Sequence, residues 1–249
     1  MQKESKKNLK KIVQENHTMD EKSNAFGSMT NGMGDIIMLN GVFKYLRGQY
    51  VVQLPKGKEK YKIFFDGIAE VEITDSPQCL EDLGYGHYST RKLRNFFGDH
   101  ADFLDIRPTI MYSDMESEQW AAETLKDIKN PVIFVPTCAI GWKGLRSIPV
   151  ELALGLLEHL KESGLTPIVC QASEYKYDIK NHICIEDLDI KKYVCLMRRV
   201  GFYIGANTGD MHLAVGVGAK TVVYQPRASE LFSPVGWCYV HPSVTYVEF

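Results

Sequence analysis

Four short apolar runs alternate with helix-like segments in the second half of the chain, and this alternation limits the folds that the chain can adopt. The runs are PVIFVPT, TPIVCQ, FYIGA and KTVVYQ, at residues 131–137, 166–171, 202–206 and 220–225. Such runs are typical of strands that are buried on both faces of a parallel sheet. Apolar residues at helical spacing lie between them. We therefore predict repeated β-α units with crossover connections, which form a doubly wound parallel α/β sheet.

Residues with strong conformational preferences mark the helix ends in this half. Pro149 begins the segment PVELALGLLEHLKES, since proline is favoured in the first turn of a helix. Gly164 ends it, as a glycine in the left-handed conformation would. Asp189 can cap the next helix, IKKYVCLMRRV, which follows a weaker strand near residues 182–186. These signals predict an α/β domain over residues 129–249.

The first half shows a weaker alternation. A Gly-rich loop, FGSMTNGMGD, is predicted to lead into a helix over IIMLNGVFKYLRG, and the runs YVVQL and VEIT resemble strands. Helices are expected near residues 90–97 and 114–128, so residues 26–128 are predicted to form a small α/β domain. Residues 1–25 are rich in lysine and poor in apolar side chains, which favours a polar extension outside the core. A membrane-surface or partner helix is the alternative.

Charge and cysteine content argue against several classes of protein. The chain has 29 basic and 31 acidic residues with a formal net charge of −2, which gives no global field for binding nucleic acid. Its six cysteines include no C-x-x-C pair, so we expect reduced thiols rather than a zinc site. No apolar run approaches the roughly 18 residues of a membrane span, and the start lacks a signal-peptide core. These features predict a cytoplasmic protein.

The run GANTGDMH at residues 205–212 carries the strongest sign of a binding site. It lies where the strand FYIGA would end and a helix would begin, beyond the carboxyl end of the sheet, where such folds bind ligands. Free helix amides attract phosphate there. Asn207 and Thr208 can cap the helix or contact the ligand, Gly209 lets a ligand approach the backbone, and His212 can donate to an anion. A tight turn with an ordinary cap is the alternative.

Charged side chains follow two other predicted strands of this sheet. Lys143 and Arg146 lie in the loop after Thr137, and the planar guanidinium suits diphosphate oxygens. Glu174 follows the strand TPIVCQ, where a carboxylate can accept hydrogen bonds from ribose hydroxyls. Solvated loop charges are the alternative for each of these residues.

Gly34 and Asp35 place a carboxylate at the start of the first predicted helix. A general base and a helix-dipole partner are both consistent with this position. The segment is not a dinucleotide fingerprint, because Ile37 stands where the third glycine belongs, and GVGAKT at residues 216–221 lacks the Gly-Lys order of a P-loop.

Four segments taken together resemble the heptosyltransferase family, family nine of the glycosyltransferases: GMGDIIMLNGVFKYL, GHYSTRKLRNFFGDHADFLDIRP, VIFVPTCAIGWKGLRSIPVELALGLLEHLKESGLTPIVCQASE and YVCLMRRVGFYIGANTGDMHLAVGVGAKTVVYQP. The likeness covers nearly all of residues 26–249. It implies the GT-B architecture, in which two Rossmann-like domains with parallel sheets face a cleft. It also implies inverting transfer of a sugar from a nucleotide-diphosphate sugar to a glycan or glycolipid hydroxyl, without a bound metal or other cofactor.

The resemblance also implies roles for individual residues. Gly34 and Asp35 match the family's Gly-Asp loop, whose Asp is the proposed base that deprotonates the acceptor. Arg146 matches a lysine that contacts the donor phosphates, and Glu174 matches an acid that binds the donor ribose. The loop after the first strand of the donor domain contains Thr137.

The family's helix-opening motif matches residues 207–212. Thr208, Gly209 and His212 fall on its contacts to donor phosphate and sugar, whereas Asn207 stands where the family has Asp. Ile148 replaces a tryptophan, and the first half is short. The resemblance implies a donor such as an ADP-linked sugar and a role in lipopolysaccharide synthesis, with peripheral membrane association as one option. A nucleotide-sugar-binding protein without activity and a GT-B-like epimerase are the alternatives.

Overall fold

The computed structural model describes residues 25–27, 32–43, 51–75, 107–138, 146–227, 239 and 241–249. The chain divides between Pro108 and Thr109 into two compact units. The sequence places this division after residue 128. The two boundaries differ because the helix Met115–Leu125 packs against the helix Ile190–Val200 and so belongs to the second unit.

The first unit contains a parallel three-stranded sheet in the order β1-β2-β3. Its strands are Ala25–Gly27 (β1), Val51–Pro55 (β2) and Glu70–Thr74 (β3). Helix α1, Met33–Phe43, follows β1, and a 3-10 helix, Glu59–Phe65, connects β2 to β3. The core of this unit includes fully buried side chains from α1 and the 3-10 helix: Ile36, Ile37, Leu39, Phe64 and Phe65.

Predictions for the first unit are confirmed in part. The strands β2 and β3 lie where the sequence predicts them. The predicted loop from Phe26 was wrong in two places, because Ala25–Gly27 pairs with β2 and because α1 already begins at Met33. Gly34 and Asp35 therefore lie in the first turn of a helix. The predictions for residues 1–24 and 90–97 lie outside the described residues.

The second unit contains six parallel strands in the order β6-β5-β4-β7-β8-β9. The strands are Pro131–Val135 (β4), Thr166–Gln171 (β5), Ile183–Glu186 (β6), Phe202–Ala206 (β7), Lys220–Gln225 (β8) and Val244–Glu248 (β9). The helices are Met115–Leu125 (α2), Val150–Glu162 (α3), Ile190–Val200 (α4) and Gly209–Gly216 (α5). The predicted parallel α/β sheet is confirmed. The strand β9 was not predicted.

The ends of the helices follow the preferences expected from the sequence. Pro149 occupies the N-cap of α3, and Gly164 adopts a left-handed φ of 78° just beyond its end. The Asp189 side chain caps α4 by accepting a hydrogen bond from the Lys191 amide at 2.9 Å. These local signals fix the length of each crossover and hence the point where the chain re-enters the sheet. Within the described residues, no helix combines the length and apolar character needed to cross a membrane.

Ion pairs attach α2 to α4. Glu118 accepts hydrogen bonds from Nη1 of Arg198 at 3.2 Å and from Nε of Arg199 at 2.7 Å. Arg198 also donates from Nη2 to the carbonyl oxygen of Tyr112 at 2.6 Å. Because these contacts join the segment before β4 to the body of the sheet, the helix belongs to the second unit.

The cysteines among the described residues are free thiols, as the sequence predicts, and Cys79 and Cys238 lie outside the described residues. Cys138, Cys170 and Cys195 are free and buried. Cys184 is free but exposed, since it lies on β6, an edge strand of the six-stranded sheet.

Candidate functional site

The strand order reverses at the centre of the second unit's sheet. The chain runs outward from β4 through β5 to β6, returns to β7 beside β4, and then runs outward in the other direction through β8 to β9. Open parallel α/β sheets bind ligands beyond the carboxyl ends of the strands at such a reversal. We define the β4–β7 exit as residues 136–138, 146–148 and 207–212, which follow these two strands.

The two strands end side by side. Val135 is in register with Gly205, so Thr137 and Asn207 each lie two residues beyond a paired position. Neighbouring strands are about 4.8 Å apart, which brings residues after one strand close to residues after the other. The loops after PVIFVPT and FYIGA therefore begin side by side at one end of the sheet.

Hydrogen bonds close the base of the loop that follows β4. The Ile148 amide donates to the Pro136 carbonyl oxygen at 2.9 Å, and the Cys138 amide donates to Oγ of Ser147 at 3.1 Å. Ile148, which stands where the family has a tryptophan, is fully buried. These contacts hold Arg146, the residue before Ser147, beside the end of β4.

Thr137 is a buried polar residue at this exit. It is 2% exposed, and its Oγ1 atom forms no hydrogen bond within the part of the chain that the structure describes. Leaving a buried hydroxyl unpaired costs about 1–3 kcal/mol. Such groups call for a functional explanation, and a ligand that accepts or donates here would supply the missing partner.

Thr208 opens helix α5. Its Oγ1 accepts a hydrogen bond from the Asp210 amide at 3.3 Å and donates to Oδ2 of Asp210 at 2.8 Å. Gly209 is the first helical residue. The helix cap that the sequence left as an alternative is therefore present, and it directs the remaining first-turn amides toward the β4–β7 exit. Asn207 donates from Nδ2 to Oε1 of Gln225 at 3.1 Å, which ties the end of β7 to the end of β8.

Asp210 is a residue of this exit that the sequence analysis did not select. Burial raises the pKa of its carboxyl above the usual value, against opposing interactions with the hydroxyls of Thr208 and Tyr193. An acid in the first turn of a helix usually interacts with the helix dipole. Nothing else in the sequence around Asp210 indicates a functional role. Its environment depends on Tyr193, which belongs to a different helix.

His212 is buried and neutral. Its Nδ1 lies 2.6 Å from the hydroxyl oxygen of Tyr239, and the two rings meet edge to face with centroids 5.5 Å apart. Burial, with a smaller contribution from the nearby positive charge of Arg146, lowers the pKa of His212 to about 3. At neutral pH the imidazole therefore offers a neutral donor or acceptor at its second nitrogen.

The remaining predicted site residues lie elsewhere. Glu174 is exposed and belongs to a 3-10 helix, Ser173–Tyr175, that follows β5. Gly34 and Asp35 belong to α1 of the first unit. Lys143 lies outside the described residues. No group of three or more His, Cys, Asp or Glu side chains suited to a metal ion occurs among the described residues.

Solved structures similar to this chain are heptosyltransferases and related glycosyltransferases. An ADP-heptose lipopolysaccharide heptosyltransferase II from E. coli has 10% identity and a TM-score of 0.59 over 90% of each chain. A family 9 glycosyltransferase from Veillonella parvula has 12% identity and a TM-score of 0.63 over 90% of this chain and 85% of its own. The iron-containing dodecameric glycosyltransferase TibC from enterotoxigenic E. coli has 15% identity and a TM-score of 0.54 over 90% of this chain and 62% of its own.

These likenesses concern the fold. Neither a protein-family model nor a curated protein sequence matches the chain. The expected likeness in fold to heptosyltransferases is confirmed, and so is the α/β architecture with parallel sheets.

Proposed function

We propose that this chain is a glycosyltransferase that moves a sugar from a nucleotide-diphosphate sugar to a hydroxyl of a glycan or glycolipid, with inversion. The observation that carries the proposal is the composition of the β4–β7 exit. A buried hydroxyl with no partner among the described residues, a guanidinium, a helix N-terminus and a neutral imidazole all follow the two strands at the reversal of strand order. The fold shared with heptosyltransferases supports the same function.

The β4–β7 exit would stabilise the leaving nucleoside diphosphate. Arg146 and the first-turn amides of α5 supply positive potential where the phosphate oxygens gain charge, and fixed donors of this kind can replace a metal ion. The Thr137 hydroxyl and the neutral His212 ring can each hydrogen-bond to the donor. Lys143 would add a second cation, and Glu174 would accept hydrogen bonds from the donor ribose.

Asp35 is the proposed general base. In a single displacement, the proton of the acceptor hydroxyl passes to the Asp35 carboxylate while the acceptor oxygen bonds to the anomeric carbon. The bond from that carbon to the phosphate oxygen breaks, and the nucleoside diphosphate leaves with the electron pair. Attack from the face opposite the leaving group inverts the anomeric centre.

Ligand binding gives the first test. ADP-, GDP-, UDP- and CMP-linked sugars should be screened by thermal shift, because a ligand that binds only the native state raises the apparent stability. We expect ADP-, GDP- or UDP-linked sugars to raise the unfolding temperature and to release nucleoside diphosphate when glycan acceptors are added, whereas stabilisation by CMP-linked sugars alone would contradict a diphosphate donor. No stabilisation by any of the four classes would contradict the proposal.

Two variants of the turnover assay test the mechanism. Asp35→Asn should retain donor binding and lower transfer by roughly 10²- to 10⁴-fold, the usual contribution of a positioned general base. Near-normal transfer would remove Asp35 from the mechanism. Turnover should also persist in excess chelator, whereas a loss that Mg²⁺ or Fe²⁺ restores would contradict metal independence.

A nucleotide-sugar-binding protein without transferase activity is the second candidate function. It is favoured by Asn207, which has no charge and whose amide is bonded to Gln225. Binding of a donor with no turnover in the presence of any acceptor would support it. Asn207→Asp then separates the two functions, because the carboxylate should restore turnover in a chain that has lost activity and weaken donor binding in one adapted to Asn. An epimerase, in contrast, would convert the donor with no acceptor present.

A further inference from the structure

The proposed anion site contains an acid of its own. Asp210 lies in the first turn of α5, and its Oδ2 accepts a hydrogen bond from Thr208, the N-cap residue, at 2.8 Å. The carboxylate therefore occupies the positive end of the helix, which the proposed function gives to a diphosphate. Two anions in one partly buried place repel each other strongly, because little water separates them.

No cation in the part of the chain that the structure describes lowers the pKa of Asp210, although Arg146 of the same exit acts on His212. Among the described residues, four titratable side chains from different elements interact with its carboxyl: Cys170 of β5, Tyr175 of the 3-10 helix, Tyr193 of α4 and Tyr203 of β7. All four are neutral at physiological pH, and the negative charge of Asp210 adds to the effect of burial in raising the pKa of each. The surroundings of Asp210 thus favour its neutral form.

Tyr193 supplies a second, independent observation. The residue is 7% exposed, and its hydroxyl has no hydrogen-bond partner of normal geometry within the described residues, although it lies close enough to Asp210 to affect its pKa. A buried hydroxyl beside a carboxyl can accept a hydrogen bond when that carboxyl is protonated and donate one when it is ionised. The pair can therefore accommodate both protonation states.

We infer that a nucleoside diphosphate binds the β4–β7 exit together with one proton, which the Asp210 carboxylate takes up from solvent. The inference rests on the proposed function, because it gives the same site a diphosphate ligand. Protonation removes the repelling charge and leaves an O–H group where there was an anion. It also removes the charge that holds the Thr208 hydroxyl, which can then rotate toward a phosphate oxygen.

A characteristic pH dependence follows. Where free Asp210 is ionised and bound Asp210 is protonated, affinity for the diphosphate should fall by up to about tenfold for each unit of rising pH, as linkage to one proton requires. Neutral nucleosides do not repel a carboxylate and should bind with no such dependence. Asp210 would thereby restrict tight binding of the diphosphate to mildly acidic pH.

Calorimetry on the full chain provides the test. ADP, GDP, UDP and CDP are titrated first, and the one that binds most tightly is followed from pH 5.5 to 8.5 in pairs of buffers with different ionisation enthalpies. Wild type is compared with Asp210→Asn and with Asp178→Asn, which removes an equal charge from an exposed loop residue. Because the terminal phosphate of the ligand titrates near pH 6, only differences between variants are interpreted.

We expect wild type and Asp178→Asn to take up more protons per bound ligand than Asp210→Asn does, by up to about one. Asp210→Asn should bind about tenfold or more tightly at pH 8, with the advantage shrinking toward pH 5.5. Tyr193→Phe removes an interaction that favours the ionised carboxyl, so its affinity should begin to fall at a higher pH than that of wild type.

The contrary results are distinct. Equal proton uptake and parallel pH profiles for wild type, Asp210→Asn and Tyr193→Phe would overturn the inference while leaving the proposed function intact. Failure of wild type and both variants to bind any of the four diphosphates would overturn the inference and the proposed donor site together.

Discussion

Two regions at the same end of the six-stranded sheet differ in how their polar groups are hydrogen-bonded. We define the β5–β6 exit as residues 171–177 and 187, which follow β5 and β6. There, the Gln171 side chain donates to the Tyr177 carbonyl oxygen at 3.0 Å and accepts from the Tyr177 amide at 3.1 Å. The Ser173 amide donates to Oδ1 of Asp187 at 3.0 Å. At the β4–β7 exit, by contrast, the Thr137 hydroxyl has no partner within the described residues and Asp210 has a raised pKa.

The difference follows from topology. Between β5 and β6 the chain continues in one direction across the sheet, and the loops after the two strands satisfy each other. Between β4 and β7 the direction reverses, so successive connections leave this point on both sides, the arrangement at which folds of this kind bind ligands. Within the described residues, Gln171, Ser173 and Asp187 of the β5–β6 exit are therefore paired, whereas the Thr137 hydroxyl of the β4–β7 exit is not.

The largest expected effect concerns how closely β4 and β7 approach. A Cβ added at Gly205 would lie 2.5 Å from the Val135 carbonyl oxygen and 2.7 Å from the hydroxyl oxygen of Tyr203. Because backbone cannot move aside cheaply, Gly205→Ala should lower the free energy of unfolding by about 3 kcal/mol, as overpacked cores do. Gly155→Ala is the control, since nothing lies within 4 Å of its added Cβ on α3.

Urea titration of both variants would measure these effects. Gly155→Ala should raise the free energy of unfolding by about 0.5–1 kcal/mol, because alanine is preferred within helices. Equal stabilities for the two variants would show that β4 and β7 are not packed closely at the exit.

The next effect concerns the cations of the two exits. Arg146→Ala should weaken binding of a nucleoside diphosphate by about 1.5–3 kcal/mol, the contribution of a hydrogen bond to a charged group, which is roughly 10- to 150-fold. Binding of the corresponding nucleoside should change little. Lys176→Ala is the matched control from the β5–β6 exit, where Lys176 already pairs with Glu186 at 2.8 Å.

Calorimetry separates the two variants. Lys176→Ala should bind the diphosphate as wild type does. If Arg146→Ala weakened nucleoside and diphosphate binding equally, Arg146 would act by shaping the loop rather than by contacting phosphate.

The sequence predicts the elements that form through long periodic patterns. Strands β4, β5, β7 and β8 and helices α3 and α4 lie where apolar runs and helical spacing place them. Caps such as Asp189 and Gly164 are also predictable, because each depends on residues within one turn of the helix end. The three-residue β1 is too short to carry a periodic pattern, and β9, VTYVE, lacks the continuous apolar run of the central strands. Both form by pairing with strands that are distant in the sequence.

The site is predictable in its location and less so in its chemistry. The loops after β4 and β7 can be selected from sequence because parallel strands share one carboxyl edge. The neutrality of His212 depends on burial beside Tyr239, which lies 27 residues further along the chain. The raised pKa of Asp210 likewise depends on burial, whose effect Tyr193 of a different helix opposes. Such effects arise only when tertiary packing removes water from the groups concerned.

The burial of His212 can be measured through the pH dependence of stability. Its pKa is about 3 in the folded chain, below the usual 6.5, so between these values the unfolded state binds a proton that the folded state does not. Stability should therefore fall as the pH drops below about 6.5, by up to about 1.4 kcal/mol per pH unit from this residue. His212→Gln should show a shallower loss between pH 7 and pH 5 in urea titrations. Equal slopes would mean that the folded chain protonates His212 readily.

The smallest expected effect tests whether the β5–β6 exit is purely structural. Glu174 is exposed there, and the resemblance to heptosyltransferases gives it the donor ribose as a ligand. Glu174→Gln keeps the shape of the side chain and removes its charge, so a nucleoside diphosphate should bind a few-fold to about tenfold more weakly, as expected for one solvent-exposed hydrogen bond. The 2′,3′-dideoxy form lacks the ribose hydroxyls and should bind wild type and variant equally well. If both ligands lost affinity equally, Glu174 would act through general electrostatics, and if neither did, the donor would contact only the β4–β7 exit.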